Sequence, residues 1–397
     1  MTVGGRQTEA AQTPRVILVA CAIGFALRLL LLGSKTLWLD EVLSIRTARA
    51  GLDAWLAGSV GAYHPPLYYV LLGPWLEIAS TPFLLRLPSA VIGTFCIPLS
   101  YRLAMRLSDR ETATKSMWLV ALSPLLIWYS QELRSYALLV MLSLLATVLL
   151  LEVLEHPTVT AWLGYCLSVV ARLYLHYDAI LLGPVHFLLA VGMLASSRTT
   201  LRKTLAWIVA LVVAGLAFVP WLLTPSMQRF LAIVLSDQLY VLPLLERTVG
   251  FGHQLIVPVA ALGILISLAG LTIGIWRLIR HRSRALTELR SHRLVQALTI
   301  LLYVILLVLS VLPRGYTVKR HILVAWVPVL VGFAWIWSGL ARRRLVWIAI
   351  VVLSVAASLT NIIAIPKPQW REVAQVINTG FRQGDVVLLS PSYMGIP

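Results

Sequence analysis

"TLWLDEVLSIRTARAGLDAWLAGSVGAYHPPLYYVLL", residues 36–72, brings Asp40 and Glu41 together directly after an apolar run. It then reaches His64, followed by two prolines, directly before another apolar run. Acidic residues stabilise helix N-termini, so the two carboxylates can simply cap a helix that begins near Val42. The pair can alternatively supply a general base or a metal ligand, with one carboxylate facing a substrate while the other orients it. His64 can also be a plain interfacial residue.

The composition indicates an all-α polytopic membrane protein. Of the 397 residues, 59% are hydrophobic and 12% are charged. Soluble domains carry about 25% charged residues, roughly twice as many. Apolar runs long enough to cross a bilayer recur along the whole chain, which is typical of membrane-spanning helices.

The apolar runs predict about eleven transmembrane helices and one interfacial helix. The predicted spans are 15–33, 89–107, 116–129, 136–152, 160–175, 179–195, 204–224, 254–276, 294–312, 322–340 and 345–363. The apolar segment 66–79 is shorter, and a run of that length favours a helix lying at the membrane surface. The N-terminal run lacks a small-residue cleavage site, so we interpret it as an uncleaved first span.

The basic residues orient these spans. With 66–79 on the surface and the N-terminus cytoplasmic, more than half of the 33 Lys and Arg residues fall in short cytoplasmic segments, as the positive-inside rule requires. The net charge of +17 therefore reflects topology, and we expect no nucleic-acid partner. The predicted location is the plasma (inner) membrane, with an active site on the extracytoplasmic face. The external segments are then 34–88, 130–135, 176–178, 225–253, 313–321 and 364–397.

Two regions follow from this topology. Residues 1–363 form a transmembrane domain whose first external loop is 34–88. The tail 364–397 has the pattern of an amphipathic helix, a turn and a strand, which is the opening of an extracytoplasmic α/β segment. One helix and one strand are too little to enclose a core, so the tail is either truncated or a small appendage.

The second external turn, 130–135, contributes further candidates from the stretch "SQELRSY". The polar residues there and at the start of the next span are Gln131, Glu132, Arg134 and Tyr136. A local ion pair between Glu132 and Arg134 would stabilise little. So short a turn must stay at the membrane surface, close to the first external loop, which favours a part in a common site.

The third external turn has the sequence "RLYLHYD". Arg172 precedes His176 by about one helical turn, and Tyr177 and Asp178 follow. Ionisable residues at membrane depth are costly and favour a functional interpretation. A divalent metal is an open alternative, with Glu132, His176 and Asp178 as its ligands.

The late segment "PRGYTVKRHILVAWVP" places Lys319 and Arg320 just outside a span. Such residues can act as snorkelling anchors. The outer face, however, is where the positive-inside rule predicts few cations. A phosphate ligand would explain both side chains.

In their order along the chain, these motifs resemble those of the GT-C superfamily of membrane glycosyltransferases, and above all the family of dolichyl-phosphate-mannose–protein mannosyltransferases and aminoarabinose transferases. The motifs that carry the resemblance are "WLDE", "HPPLYY", "RLPSAVIGT", "SPLLIWYSQELRSYALL", "HYD", "KRHILVAWVP" and "WREVAQVI" with "GDVVLL". The resemblance implies a GT-C-type fold whose first external loop carries interfacial helices. It also implies a transferase that uses a polyprenyl-phosphate sugar and a glycan, lipid or protein hydroxyl as acceptor.

The resemblance also implies roles for individual residues. The family's catalytic acid corresponds to Asp40, with Glu41 beside it, and the proline-rich motif begins at His64. The acidic second loop corresponds to Glu132, although this chain has no Asp-x-Asp there. The late basic residue corresponds to Arg320. The resemblance implies no certain cofactor, and a divalent metal stays an open alternative.

Two other functional classes of membrane protein are alternatives to a glycosyltransferase. A transporter or flippase of lipid-linked sugars would also be polytopic, but it would place charges near the bilayer midplane, whereas most charges here lie at span ends. A structural scaffold leaves the clustering of acids and histidines on one face unexplained.

Overall fold

The computed structural model describes residues 3–57, 64–195, 198–228, 323–338 and 343–364, with the isolated positions 375 and 379. These residues are mostly helical. The α-helices are α1 (Val3–Leu29), α2 (Leu39–Leu56), α3 (Leu67–Leu76), α4 (Pro82–Leu107), α5 (Arg110–Ala121), α6 (Pro124–Ser130), α7 (Tyr136–Glu155), α8 (Val159–Leu173), α9 (Leu182–Ala195), α10 (Leu201–Leu222), α11 (Leu323–Ser338) and α12 (Arg343–Ile363). A 3₁₀ helix, Tyr177–Leu181, precedes α9.

Helix starts follow local sequence signals. Several helices begin after a Ser, Thr or Asp whose side chain accepts a hydrogen bond from the backbone N–H three residues later, which satisfies an otherwise unpaired donor. These capping residues are Thr81, Asp109, Ser123, Thr158 and Thr200.

Helices suited to crossing a membrane are present in the described part of the chain. Four are long and apolar enough by length and composition: Pro82–Leu107, Tyr136–Glu155, Leu201–Leu222 and Leu345–Ile363. The mostly helical class is therefore confirmed. The predicted spans 254–276 and 294–312 lie outside the described residues, and so does the tail beyond residue 364, apart from 375 and 379.

One predicted span differs from the structure. The segment 116–129 is divided between α5 and α6 at Leu122 and Ser123. Pro124 cannot donate a backbone hydrogen bond to the preceding turn, and Ser123 accepts from Leu126 N to start a new helix. α5 also begins at Arg110, earlier than expected, because Asp109 caps it.

The short helix α3 lies within the segment predicted to rest on the membrane surface. It has 10 residues. At 1.5 Å per residue its length is about 15 Å, roughly half the hydrocarbon thickness of a bilayer. A surface or re-entrant position therefore suits α3 better than a span.

A fully buried arginine joins three helices of the bundle. Arg28, near the end of α1, is 0% exposed. Its guanidinium donates to Gly24 O, Ala121 O and Val120 O, and to Ser130 Oγ. Two of these acceptors are carbonyls of the last turn of α5, which lack helical partners and carry partial negative charge. A buried charge is tolerated here because its donors are satisfied.

The two ends of the bundle differ. At one end, Arg106 and Arg198 pair with Glu155. At the other, the external segments predicted from the sequence meet, as Leu67 N donates to Tyr174 O at 2.9 Å. Leu133 N donates there to the Glu41 carboxylate at 2.9 Å. This second end holds most of the candidate site residues.

Candidate active site

Asp40 and Glu41 lie in the first turn of α2 and point to different neighbours. The helix begins at Leu39, a little earlier than Val42, because Glu41 accepts a hydrogen bond from Trp38 N at its N-terminus. Successive helical side chains lie about 100° apart, so the two carboxylates cannot share one environment. Each therefore has to be assigned separately.

Glu41 is a buried anchor for the external loops. Its carboxylate is 0% exposed and accepts from Arg86 Nε at 2.8 Å and Arg86 Nη2 at 2.7 Å. The same Arg86 donates to the carbonyls of the loop before α2, which are Leu32 O, Lys35 O and Thr36 O. Glu41 thus joins α2, the start of α4 and the second external turn, with its charge neutralised by Arg86.

Asp40 is more exposed and faces Arg134. Arg134 Nη2 lies 3.9 Å from Asp40 Oδ2. Arg134 Nη1 donates to Asp40 O at 3.2 Å and to Ser44 Oγ at 3.1 Å. Ser44 in turn donates to Asp40 O at 2.8 Å, so the backbone of Asp40 is held from two sides. The arrangement leaves the carboxylate beside a fixed cation at the end of the bundle.

Arg134 keeps its charge in this site. Burial alone would lower the pKa of the guanidinium, but the neighbouring Tyr136, Tyr69 and Asp40 outweigh burial and raise it. Its guanidinium carbon also lies 5.6 Å from the centre of the Tyr136 ring, a cation–π contact. Arg134 is therefore a permanent positive charge next to Asp40.

Aromatic rings connect the second and third external turns to the first. Tyr136 lies 5.8 Å from His176, measured between ring centres. His176 stacks on His64 at 4.5 Å with an angle of 27° between the planes, and Tyr177 lies 6.4 Å from His64. His64, Tyr136, His176 and Tyr177 thus form one continuous wall that leads to Arg134.

The candidate metal ligands form only a pair. His176 Nδ1 accepts from Asp178 N at 3.2 Å and lies 3.4 Å from Asp178 Oδ2. A ring nitrogen that accepts from an N–H carries no proton itself, so the second contact is not an ion pair in that state. Within the described part of the chain, no three His, Cys, Asp or Glu side chains group as metal ligands do. Among the described residues, His176 and Asp178 therefore do not form a metal site by themselves.

Other predicted residues have different positions. Gln131 donates to Leu27 O, Arg28 O and Leu30 O, so it caps the C-terminal end of α1. Arg172 is 2% exposed and donates to Ala179 O beneath the 3₁₀ helix. Glu132 is 3% exposed and interacts electrostatically with the Tyr68 phenol. Lys319 and Arg320 lie outside the described residues.

Sequence reasoning missed two residues at this end of the bundle. Arg86 belongs to the quoted motif "RLPSAVIGT", but no role was inferred for it. A lone arginine at the start of an apolar helix was the available signal. Tyr68 belongs to the quoted motif "HPPLYY", but no part in the site was inferred for it, and its hydroxyl oxygen is buried.

Comparison with known proteins finds a family model that matches part of the chain. A family model described as dolichyl-phosphate-mannose-protein mannosyltransferase matches residues 63–223. This match contains α3 to α10 and most of the site, and it confirms the resemblance inferred from the motifs. A comparison with curated protein sequences finds no significant match.

Several solved structures share the fold. An Archaeoglobus fulgidus oligosaccharyltransferase in complex with Zn and sulfate aligns with a TM-score of 0.59 at 15% identity, over 93% of this chain and 56% of the other. The A. fulgidus oligosaccharyltransferase AglB with an inhibitory peptide and dolichol-phosphate gives 0.53 at 11% identity, over 95% and 59%. ArnT from Cupriavidus metallidurans bound to undecaprenyl phosphate gives 0.56 at 14% identity, over 94% and 73%.

At these identities the alignments establish the fold alone, which this chain shares with the ArnT and AglB structures. The chain spans just over half the length of the oligosaccharyltransferase chains.

Proposed function

We propose that this protein transfers a sugar from a polyprenyl-phosphate carrier to a hydroxyl group of a glycan, lipid or protein, on the extracytoplasmic face of the plasma (inner) membrane. The observation that carries the proposal is the contact between Asp40 and Arg134 beside the wall of His64, Tyr136 and His176. The end of the helix bundle thus combines a carboxylate, a fixed cation and aromatic rings. This combination suits a substrate whose head group leaves the lipid while its tail stays there.

Asp40 is the proposed general base. It takes the proton of the acceptor hydroxyl as that oxygen attacks the anomeric carbon, and the reaction proceeds with inversion. Arg134 holds the carboxylate in place through its opposite charge. Ser44 and Arg134 together fix the backbone of Asp40, so the carboxylate has few orientations to lose when substrate binds.

Glu41 supports this base without contacting substrate in our proposal. Its burial against Arg86 and Leu133 N leaves Asp40 as the acid that faces the site. Glu41 is therefore a positioning residue for the first external loop.

The remaining site residues are assigned to the donor. Lys319 and Arg320 stabilise the departing polyprenyl phosphate as negative charge develops on it. His64, His176, Tyr136 and Tyr177 offer ring faces to the sugar. Glu132 offers a carboxylate for the sugar hydroxyls.

The comparisons support a lipid-phosphate donor. The ArnT structure holds undecaprenyl phosphate and the AglB structure holds dolichol-phosphate, both on the fold that this chain shares. A polyprenyl-phosphate carrier would suit the same fold here.

The test uses purified protein in lipid nanodiscs and a panel of radiolabelled polyprenyl-phosphate sugars, with release of label from the carrier as the readout. We expect release from one donor by the parent and a loss of about 10²- to 10⁴-fold for Asp40→Asn, the usual contribution of a general base. Asp53→Asn changes an exposed carboxylate of the same helix and should keep parent activity.

Two outcomes would contradict the proposal. Unchanged release by correctly inserted Asp40→Asn would remove Asp40 as the base. No release from any donor, together with movement of an intact lipid-linked sugar between leaflets, would favour a flippase instead.

A further inference from the structure

Two buried hydrogen-bond donors at the site have no acceptor in the described part of the chain. These donors are Tyr68 Oη–H and Arg134 Nε–H. Arg134 as a whole is 8% exposed. Buried donors are nearly always satisfied in folded proteins, and an unsatisfied one is costly. The exceptions cluster where a ligand or an ordered water completes the bonding.

The two donors belong to one place. Tyr68 belongs to α3 and Arg134 to the second external turn, and the two side chains interact electrostatically, with the Tyr68 hydroxyl oxygen and Arg134 Nε both buried. Arg134 uses Nη1 for Asp40 O and Ser44 Oγ, which fixes the direction of its Nε edge. Arg86 differs, because its Nε, Nη1 and Nη2 all donate to Glu41 or to carbonyls. Arg134 Nε–H, by contrast, donates to no atom of the described residues.

This place lies on the acceptor side of the proposed reaction. Arg134 Nη2 is 3.9 Å from Asp40 Oδ2, so the guanidinium is fixed beside the base. Inversion requires the attacking hydroxyl and the departing phosphate to lie on opposite sides of the anomeric carbon. A group that contacts the base is thus closer to the acceptor than to the phosphate.

The charges around the donors favour a neutral ligand oxygen. The positive charge of Arg134 is already matched by Asp40, and Glu132 also acts on Tyr68. A further anion would meet both carboxylates. A hydroxyl oxygen has two lone pairs and can accept from both donors at once.

Resting on the function proposed above, we propose that Tyr68 and Arg134 form an acceptor subsite that binds the hydroxyl oxygen next to the one that is glycosylated. The acceptor is then a neutral vicinal diol of the carbohydrate type. Buried donors reject analogues that leave them unpaired far more strongly than an apolar pocket rejects a missing methylene. The subsite would thus discriminate against a molecule with a single hydroxyl.

The experiment compares two acceptors that differ by one oxygen. trans-1,2-Cyclohexanediol and cyclohexanol are offered to the protein in nanodiscs with the active radiolabelled donor, and kcat/KM for each is measured. We expect the parent to prefer the diol by at least about tenfold, since a hydrogen bond to a charged donor contributes about 1.5–3 kcal/mol, or about 10- to 150-fold. Tyr68→Phe should raise KM for the diol and reduce the preference by about 2- to 10-fold, the share of one neutral hydrogen bond, while Arg134 keeps the rest and KM for the donor is unchanged.

A structural role for the tyrosine would give a different result. Because the Tyr68 hydroxyl has no partner within the described residues, Tyr68→Phe should keep or raise the thermal midpoint. Tyr174→Phe is the matched control, since the Tyr174 hydroxyl donates to Ala217 O away from the site. This control should retain the preference for the diol.

A measurement without turnover separates this proposal from the proposed function. Saturation-transfer NMR reports binding of the diol to the parent and to Tyr68→Phe whether or not any sugar is transferred. If the parent binds the diol and Tyr68→Phe binds it more weakly, the subsite is supported even if no donor is found. The proposed subsite would be overturned if the parent bound or used the diol and cyclohexanol equally well. A change in the donor KM alone would overturn it too.

Discussion

Glu41 and Arg86 form a bidentate ion pair that is almost completely removed from solvent, with Arg86 Nη2 2.7 Å from Glu41 Oε2 and side-chain exposures of 1% and 0%. The pair joins residues 45 positions apart, and the Arg86 guanidinium also donates hydrogen bonds to three loop carbonyls. A buried pair of this kind stabilises a specific geometry more than it stabilises the fold, because desolvation offsets most of the attraction. Here that geometry is the placement of Asp40.

Breaking this pair should cost far more than breaking a surface pair. Glu41→Gln leaves the Arg86 charge buried without a counter-ion, with only a neutral amide and three carbonyls as acceptors, and we expect a loss of about 3–5 kcal/mol in unfolding free energy. Glu111→Gln removes the half-exposed partner of Lys115, which keeps its cation–π contact with Trp347, and should cost less than about 1 kcal/mol. Thermal unfolding in nanodiscs measures both. Equal midpoints for the two variants would show that Glu41 does not anchor the loop.

The described helices and the meeting of the external segments at one end of the bundle could be predicted from the sequence, because hydropathy and the distribution of Lys and Arg act over whole segments. The segments around Asp40, His64 and His176 do meet at one end of the bundle. The break at Ser123 and Pro124 was visible as a Ser-Pro pair, but not as a division of one span into two helices.

The partners of individual side chains could not be predicted. Asp40 and Glu41 are chemically alike and adjacent, and only their positions in the first turn of α2 decide which one meets Arg86. Gln131 was expected to contact substrate, yet it lies where the carbonyls at the end of α1 need donors. Such pairings join distant segments and leave no periodic pattern in the sequence.

Gly93 sits where no side chain fits. A Cβ there would collide with Ser130 Oγ and lie 3.2 Å from Arg28 Nε, where α4 packs against the hydrogen-bonded cluster that joins α1, α5 and α6. We expect Gly93→Ala to destabilise by about 1–3 kcal/mol, as overpacking does. Gly183→Ala is the control, since a Cβ there meets nothing within 4 Å among the described atoms. A thermal midpoint for Gly93→Ala as high as that of the control would mean that α4 and α6 are less closely packed.

Chelation tests whether sugar transfer requires a divalent metal. Because His176 and Asp178 form a pair without a third ligand among the described residues, we expect EDTA to change sugar transfer by less than about twofold, far below the 10- to 100-fold losses that follow disturbed metal ligation. Transfer is measured before and after chelation and after return of Zn²⁺. A large loss that Zn²⁺ reverses, and that Asp178→Asn reproduces, would establish a metal site.

The tyrosines of α3 should make stability depend on alkaline pH. Burial raises the pKa of Tyr68 and of Tyr69 above the ordinary value of about 10. The unfolded chain loses these protons above about pH 10 while the folded protein keeps them, so the unfolding free energy must fall as pH rises through that value. Each retained proton contributes about 1.4 kcal/mol per pH unit.

Tyr68→Phe isolates one of these protons. Its thermal midpoint should match or exceed that of the parent at pH 8, and the difference in favour of the variant should grow between pH 10 and 11.5. The measurement is thermal unfolding of both proteins across this range, with Tyr174→Phe, whose hydroxyl lies at the exposed Ala217 carbonyl, as the reference for a partly exposed tyrosine. If the thermal midpoints of the parent and Tyr68→Phe fell in parallel with pH, the Tyr68 phenol would ionise as easily in the folded protein as in the unfolded chain. That result would contradict the burial of the Tyr68 hydroxyl in α3.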